Sequence, residues 1–224
     1  MRPATRKLLR IVLLADLVLF GTAGLVWYAL RPSDETAELI ARNPGWTVDS
    51  SLGWVVMTEH ATQRRVVIAP EQIGPNAVRT VPCAEVEKAY PAWFRVPGDS
   101  SETEPLACVH VAGEDQDAYV MNFLTALEIP KLWDEVYAPL VDAAKRPYSG
   151  GHSMAGRKGR KLDREAIGAA ARPPLPGASG PRPGGSLGYA IDAEPGSGER
   201  QTNLQATHVG DETLVVATFR KPPL

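Results

Sequence analysis

Residues 212–221, ETLVVATFRK, decide how the chain is expected to fold. Leu214, Val216, Thr218 and Arg220 alternate with Val215, Ala217, Phe219 and Lys221, the period of two that sends successive side chains to opposite sides of a strand. One side is expected to pack inward and the other to meet solvent or a partner. Just upstream, NLQATHV (203–209) and SLGYAIDAE (186–194) read as further strands, and Gly210 with Asp211 supplies the turn into the last one. LACVHV (106–111) is another strand, whereas DAYVMNFLTAL (117–127) is too short an apolar run to separate strand from helix. Two β-branched runs, 54–58 and 65–69, flank a polar centre and predict a hairpin. The C-terminal hairpin is expected to complete the same antiparallel sheet as these strands.

One helix should cover that sheet, because Leu132, Trp133, Val136, Tyr137, Leu140, Val141 and Ala144 fall on a single helical stripe. Pro139 lies inside it and predicts a kink or a division into shorter turns. Residues 32–45, PSDETAELIARNPG, predict a short helix with Ser33 as N-cap and Asn43-Pro44-Gly45 as its stop. Residues 146–186 change to a polar, then Pro/Gly/Ser-rich composition and read as a loop or linker.

Further out, residues 11–30, IVLLADLVLFGTAGLVWYAL, form twenty residues with one charge, enough for a helix of about 30 Å to cross hydrocarbon. Arg2, Arg6, Lys7 and Arg10 precede the run, while Arg31 with Asp34, Glu35 and Glu38 follows it, leaving the basic excess on the N-terminal side. This bias predicts a cytoplasmic N-terminus and an extracytoplasmic remainder, with Trp27 and Tyr28 as interfacial anchors. A cleaved signal peptide, processed near Gly21, Thr22, Ala23 and Gly24, is the rival reading and exports the same domain. Asp16 costs about 2.5–3.5 kcal/mol inside a membrane helix on insertion scales. It reads either as a contact to a partner's membrane helix, with Gly21 and Gly24 allowing close approach, or as a carboxyl that stays protonated or reaches water near Arg10.

The expected architecture is therefore α+β: a basic tail (1–10), a transmembrane helix (11–30), a stalk (31–45), and an extracytoplasmic antiparallel sheet covered by one or more helices. The domain's first part is 46–145, residues 146–186 are the loop or linker, and 187–224 complete it. Composition limits the partners. With 24 Lys and Arg against 26 Asp and Glu, the chain lacks the basic surplus of a general nucleic-acid binder. An apolar fraction of 44% excludes a wholly disordered chain. The abundance of Ala, Arg, Gly and Pro suits a bacterial source, making the exported compartment the periplasm or cell surface.

In such a compartment Cys83 and Cys108 suggest a disulfide, and closing a loop of about 26 residues stabilises a fold by about 3.5 kcal/mol on the chain-entropy view. A redox or metal-binding pair and two separate thiols are the alternatives. His60, His110, His152 and His208 invite a metal reading, but none has the close spacing of a helical ligand pair. Arg157, Lys158, Arg160 and Lys161 form a basic run suited to anionic lipid or an acidic partner, or simply to water.

Gly151-His152-Ser153-Met154-Ala155-Gly156 resembles the nucleophile elbow of the α/β-hydrolase family, G-x-S-x-G. The resemblance implies Ser153 as nucleophile, with Asp192 and His208 in the family's chain order of acid and base. The flanks depart from that pattern: AAKRPYSG precedes the motif, RKGRK follows it, and Ala155 replaces the second glycine, so the segment also reads as a loop. Taken together, the residues predict a non-catalytic, membrane-anchored binding or accessory subunit of a larger complex serving energy conversion, transport or envelope assembly. Its partners are the lipid bilayer and an integral membrane protein, without nucleic acid or cofactor. An exported serine hydrolase and a metal or redox protein are the alternatives.

Overall fold

The computed structural model describes residues 34–50, 53–69, 73, 74, 76–98, 102–113, 117–153, 162–178 and 185–221. The chain divides into two units, residues 1–37 and 38–224. Of the first, only residues 34–37 are described, the opening turn of helix α1 (Asp34–Arg42). The predicted membrane segment, with Asp16, Gly21, Gly24, Trp27 and Tyr28, lies outside the described residues, as do Ser33 and the basic run Arg157, Lys158, Arg160 and Lys161. Among the described residues no helix is long and apolar enough to cross a membrane.

The second unit is mostly sheet. Strands β1 (Trp46–Asp49), β2 (Val55–Glu59) and β3 (Arg65–Ile68) form a small antiparallel sheet in that order. Seven more strands form a large one: β4 (Ala77–Thr80), β5 (Thr103–Ala112), β6 (Asp117–Thr125), β7 (Tyr148–Ser153), β8 (Ser186–Ile191), β9 (Gln201–Val209) and β10 (Glu212–Arg220). Their spatial order is β4-β5-β6-β10-β9-β8-β7, antiparallel throughout. Two meanders, β4 to β6 and β7 to β10, are thus zipped together where β10 pairs with β6, from Thr213 opposite Thr125 to Arg220 opposite Ala118.

Between β6 and β7 the chain crosses one face of this sheet as a helix in three pieces: α3 (Ile129–Lys131), a π-helical stretch (Leu132–Tyr137) and α4 (Ala138–Ala143). The predicted stripe is the buried side, with Leu132, Trp133, Tyr137 and Val141 packed against the sheet. Pro139 explains the wide stretch. A prolyl nitrogen has no hydrogen and its ring crowds the carbonyl four residues back, so the chain widens and Ala138 donates to the Trp133 carbonyl five residues away. Beside this helix, the short α2 (Cys83–Glu87) covers the β5–β6 end of the same face.

The opposite face of the large sheet meets the small sheet, and this corrects the expected architecture. The α+β reading of one antiparallel sheet covered by helices gives way to two antiparallel sheets, with helix a minor component. The hairpin formed by β2 and β3 does not join the C-terminal strands. It packs across them, with Met57, Val66 and Ile68 in one core with Val109, Leu214 and Val216. β10 consequently has no solvent face: residues 212–219 are all buried, Leu214 and Val216 under the small sheet and Val215, Ala217 and Phe219 under the helices. An alternating strand reads as one-sided only when the two sets differ in polarity, and here both are apolar.

The 146–186 segment also differs from a plain linker, because Tyr148–Ser153 form the edge strand β7, paired with β8 from Tyr148 opposite Ile191 to Ser153 opposite Ser186. Glycine weakens strand propensity, which hid it. Residues 162–178 are held on the small-sheet side through buried Leu162, Ile167 and Ala169.

Candidate functional site

The register of the large sheet draws one polar row across its first three strands: Arg79 on β4 is opposite His110 on β5, which is opposite Tyr119 on β6. Alternation puts His110 on the side of Cys108, the helix-bearing face, where α2 brings Glu85 alongside. The Arg79 Nε–H donates to His110 Nδ1 at 3.2 Å. The neutral imidazole therefore carries its hydrogen on Nε2, which donates to Asp117 Oδ1 at 2.7 Å. Arg200, preceding β9, reaches the other carboxylate oxygen at 3.2 Å and the Asp117 carbonyl at 3.1 Å, with its guanidinium 5.1 Å from the Tyr119 ring centre. Glu85 completes the row, accepting from Arg79 at 3.1 Å and from the Tyr119 hydroxyl at 3.2 Å.

Burial raises the Asp117 carboxyl, but the His110 hydrogen bond and the Arg200 charge outweigh it and hold the group below its ordinary value. The Tyr119 hydroxyl moves upward through burial, reinforced by its hydrogen bond to the Glu85 carboxylate. Two guanidiniums thus balance two carboxylates around the His110 imidazole. Because Arg79 is 60% exposed, the row presents an ordered mixed-charge surface to solvent.

The foundation of this row is covalent. Cys83, at the start of α2, and Cys108, two residues before His110, form a disulfide with a Cα separation of 5.2 Å. The pairing expected from the two-cysteine count is present, and it holds Glu85 over β5.

At the opposite edge of the sheet lies an aromatic group. Trp133 stacks on Tyr189 with centroids 3.4 Å apart and planes within 4°, and Tyr148 meets Trp133 edge-on at 5.2 Å. Tyr148 and Ile40 are the exposed large hydrophobic side chains among the described residues.

Of the triad implied by the elbow resemblance, Ser153 and Asp192 lie at opposite ends of the β7–β8 pair and His208 lies on β9. Ser153 is the last residue of β7, whereas Asp192 bonds back to Pro147 before its first. Six residues of strand, about 20 Å, separate the two positions. Asp192 accepts from Gln201 at 3.1 Å, and His208 on β9 meets the Thr213 hydroxyl at 3.4 Å. The strand-to-helix turn that an elbow requires is replaced by the end of an edge strand. His60 contacts Thr47 at 2.9 Å. Among the described residues no three His, Cys, Asp or Glu side chains converge on a metal-sized site.

Reading the sequence missed Arg79, Glu85, Asp117, Tyr119 and Arg200. Period-two spacing in LACVHV and DAYVMNFLTAL places His110 and Tyr119 at the hairpin end, but Arg200 arrives from a loop 83 residues after Asp117. Comparison of the chain with protein-family models, curated proteins and solved structures finds no match to any of them.

Proposed function

We propose that the protein is an exported binding or accessory subunit, held at the membrane by its N-terminal apolar segment and serving a larger membrane complex. The observation that carries this reading is the Cys83–Cys108 disulfide, since such bonds persist in oxidising compartments and are rare in the cytosol. The apolar run 11–30 with four basic residues before it supports the same address. The ordered mixed-charge row and the exposed Tyr148 support a surface used for recognition.

Two measurements test the proposal. Protease added to intact spheroplasts is expected to digest the C-terminal unit; protection until the bilayer is opened overturns the address. Native mass after extraction in mild detergent is expected to exceed that of the 224-residue chain through a co-purifying protein, and a lone monomer overturns the accessory role.

A further inference from the structure

Sheet edges expose backbone donors and acceptors, and natural proteins shield them with short strands, charges or covering groups. Three of the four edges here are shielded. On β3 the Asn122 side chain occupies both the N–H and the C=O of Val67. β4 is four residues long and carries Arg79, tied to Glu85. β1 is equally short and ends on Asp49.

Among the described residues, nothing protects β7 in this way. It is six residues long, has no charged residue or proline, and among the described residues pairs only with β8. Tyr148, Ser149, Gly150 and Gly151 are all exposed. Beside the edge, Tyr148 is 42% exposed and is propped by Trp133, which is itself fixed against Tyr189. An open, neutral backbone edge next to a supported aromatic ring fits one mode of recognition, the addition of a strand whose main chain gives affinity and whose alternate side chains give specificity.

We propose that β7 receives an extended, uncharged segment of the partner protein as an added strand, with an apolar side chain of that segment seated on Tyr148. The inference deepens the accessory reading and rests on it. A second copy of this chain is the poorer occupant. Antiparallel self-pairing about Gly150 and Gly151 sets position 148 of each copy opposite position 153 of the other, so neither tyrosine meets an apolar partner. Two strands meeting over about 20 Å also cover far less than the roughly 1,200 Å² that specific, stable interfaces bury. A partner segment confined to the same membrane needs less area, because tethering raises its effective concentration.

The test places a charge on the edge. A Cβ at Gly151 meets nothing within 4 Å, so Gly151→Lys adds a side chain in open space, and Ser149→Lys is the second variant. Ala61→Lys, on the exposed β2–β3 turn, is the control. In detergent extracts of native membranes, wild type and Ala61→Lys are expected to retain the partner, while the edge variants lose it at least tenfold with unchanged thermal midpoints. Amides of residues 148–153 should gain protection from hydrogen exchange in the wild-type complex. A photo-crosslinker at Ser149 should join an uncharged partner segment.

Retention of the partner by both edge variants, or a crosslink to lipid or to residues 148–153 of a second copy, overturns the inference and leaves the accessory reading standing. Absence of any partner with wild type defeats the accessory reading itself.

Discussion

The side-chain amide of Asn122 on β6 pairs with the peptide group of Val67 on β3 as a neighbouring strand would. Its Oδ1 accepts the Val67 N–H at 2.5 Å and its Nδ2 donates to the Val67 carbonyl at 2.8 Å. Asn122 is 1% exposed. One residue therefore ties the two sheets together and closes the outer edge of the smaller one. Asn43 does similar work at the end of α1, accepting from the Val78 N–H at 2.7 Å and donating to the carbonyls of Leu39 and Asn76 at 2.8 and 2.9 Å.

Replacing Asn122 by Leu keeps the branched side-chain shape but strands the Val67 N–H and C=O in an apolar interface. Each buried group left without a partner costs about 1–3 kcal/mol, so Asn122→Leu, which strands two, is expected to lose roughly 2–6 kcal/mol. Urea unfolding measures it. An unchanged midpoint would mean that the sheets are joined by apolar packing alone.

Among the described residues Glu212 is the buried charged side chain, 1% exposed at the start of β10. It pairs with Arg164 and accepts the Leu175 N–H at 2.9 Å, while Arg164 also donates to the Ala169 carbonyl at 2.9 Å. This knot fastens residues 162–178 over the core. Removing one member of a buried pair costs about 3–5 kcal/mol, because the other charge stays behind. Glu212→Leu is expected to lose that much and to open the segment to protease at Arg164 or Arg172 before the sheets unfold. Limited proteolysis with mass spectrometry reads both. Resistance equal to wild type would place the fastening in Leu162 and Ile167 instead.

How far the sequence reveals this fold depends on the range of each interaction. Period-two runs locate β2, β3, β9 and β10, and the apolar stripe locates the helix over the sheet, since a few neighbouring residues suffice for each. The split into two sheets is set by partners far apart in the chain, such as Val67 and Asn122, whose side chain was indistinguishable from an ordinary polar residue. β7 was hidden by its glycines. The disulfide was legible because two cysteines allow one pairing, whereas the row around His110 needs the register of three strands and a loop.

The Asp117 carboxyl has a folded value below that of the unfolded chain, so it favours the folded state most above the ordinary aspartate value of about 3.9. That contribution is lost as pH falls from there through the lower folded value. Asp117→Asn removes the titration. Urea midpoints measured from pH 5 downward are expected to fall more steeply for wild type than for Asp117→Asn. Since Asp117 is 39% exposed, salt should reduce the difference. Parallel curves would show that the His110 and Arg200 contacts do not hold the charge in solution.

Reduction of the disulfide should reach the same row from its other end. The bond closes a loop of 25-residue separation, and on the chain-entropy view its loss costs about 3.5 kcal/mol. The Cys83→Ala, Cys108→Ala double variant is expected to lose that stability and to let α2 move away from β5. Glu85 then leaves Tyr119, which removes its share of the rise in the hydroxyl and keeps the larger cause, burial, together with the nearby Asp117 charge. The Tyr119 phenol should consequently ionise at lower pH in the double variant than in wild type, while staying above the ordinary value for tyrosine. A difference titration by ultraviolet absorption against Tyr119→Phe isolates this one ring. If the titration does not move while stability falls, α2 is held over the sheet by Val86 and its apolar neighbours, and the disulfide acts only on the unfolded chain.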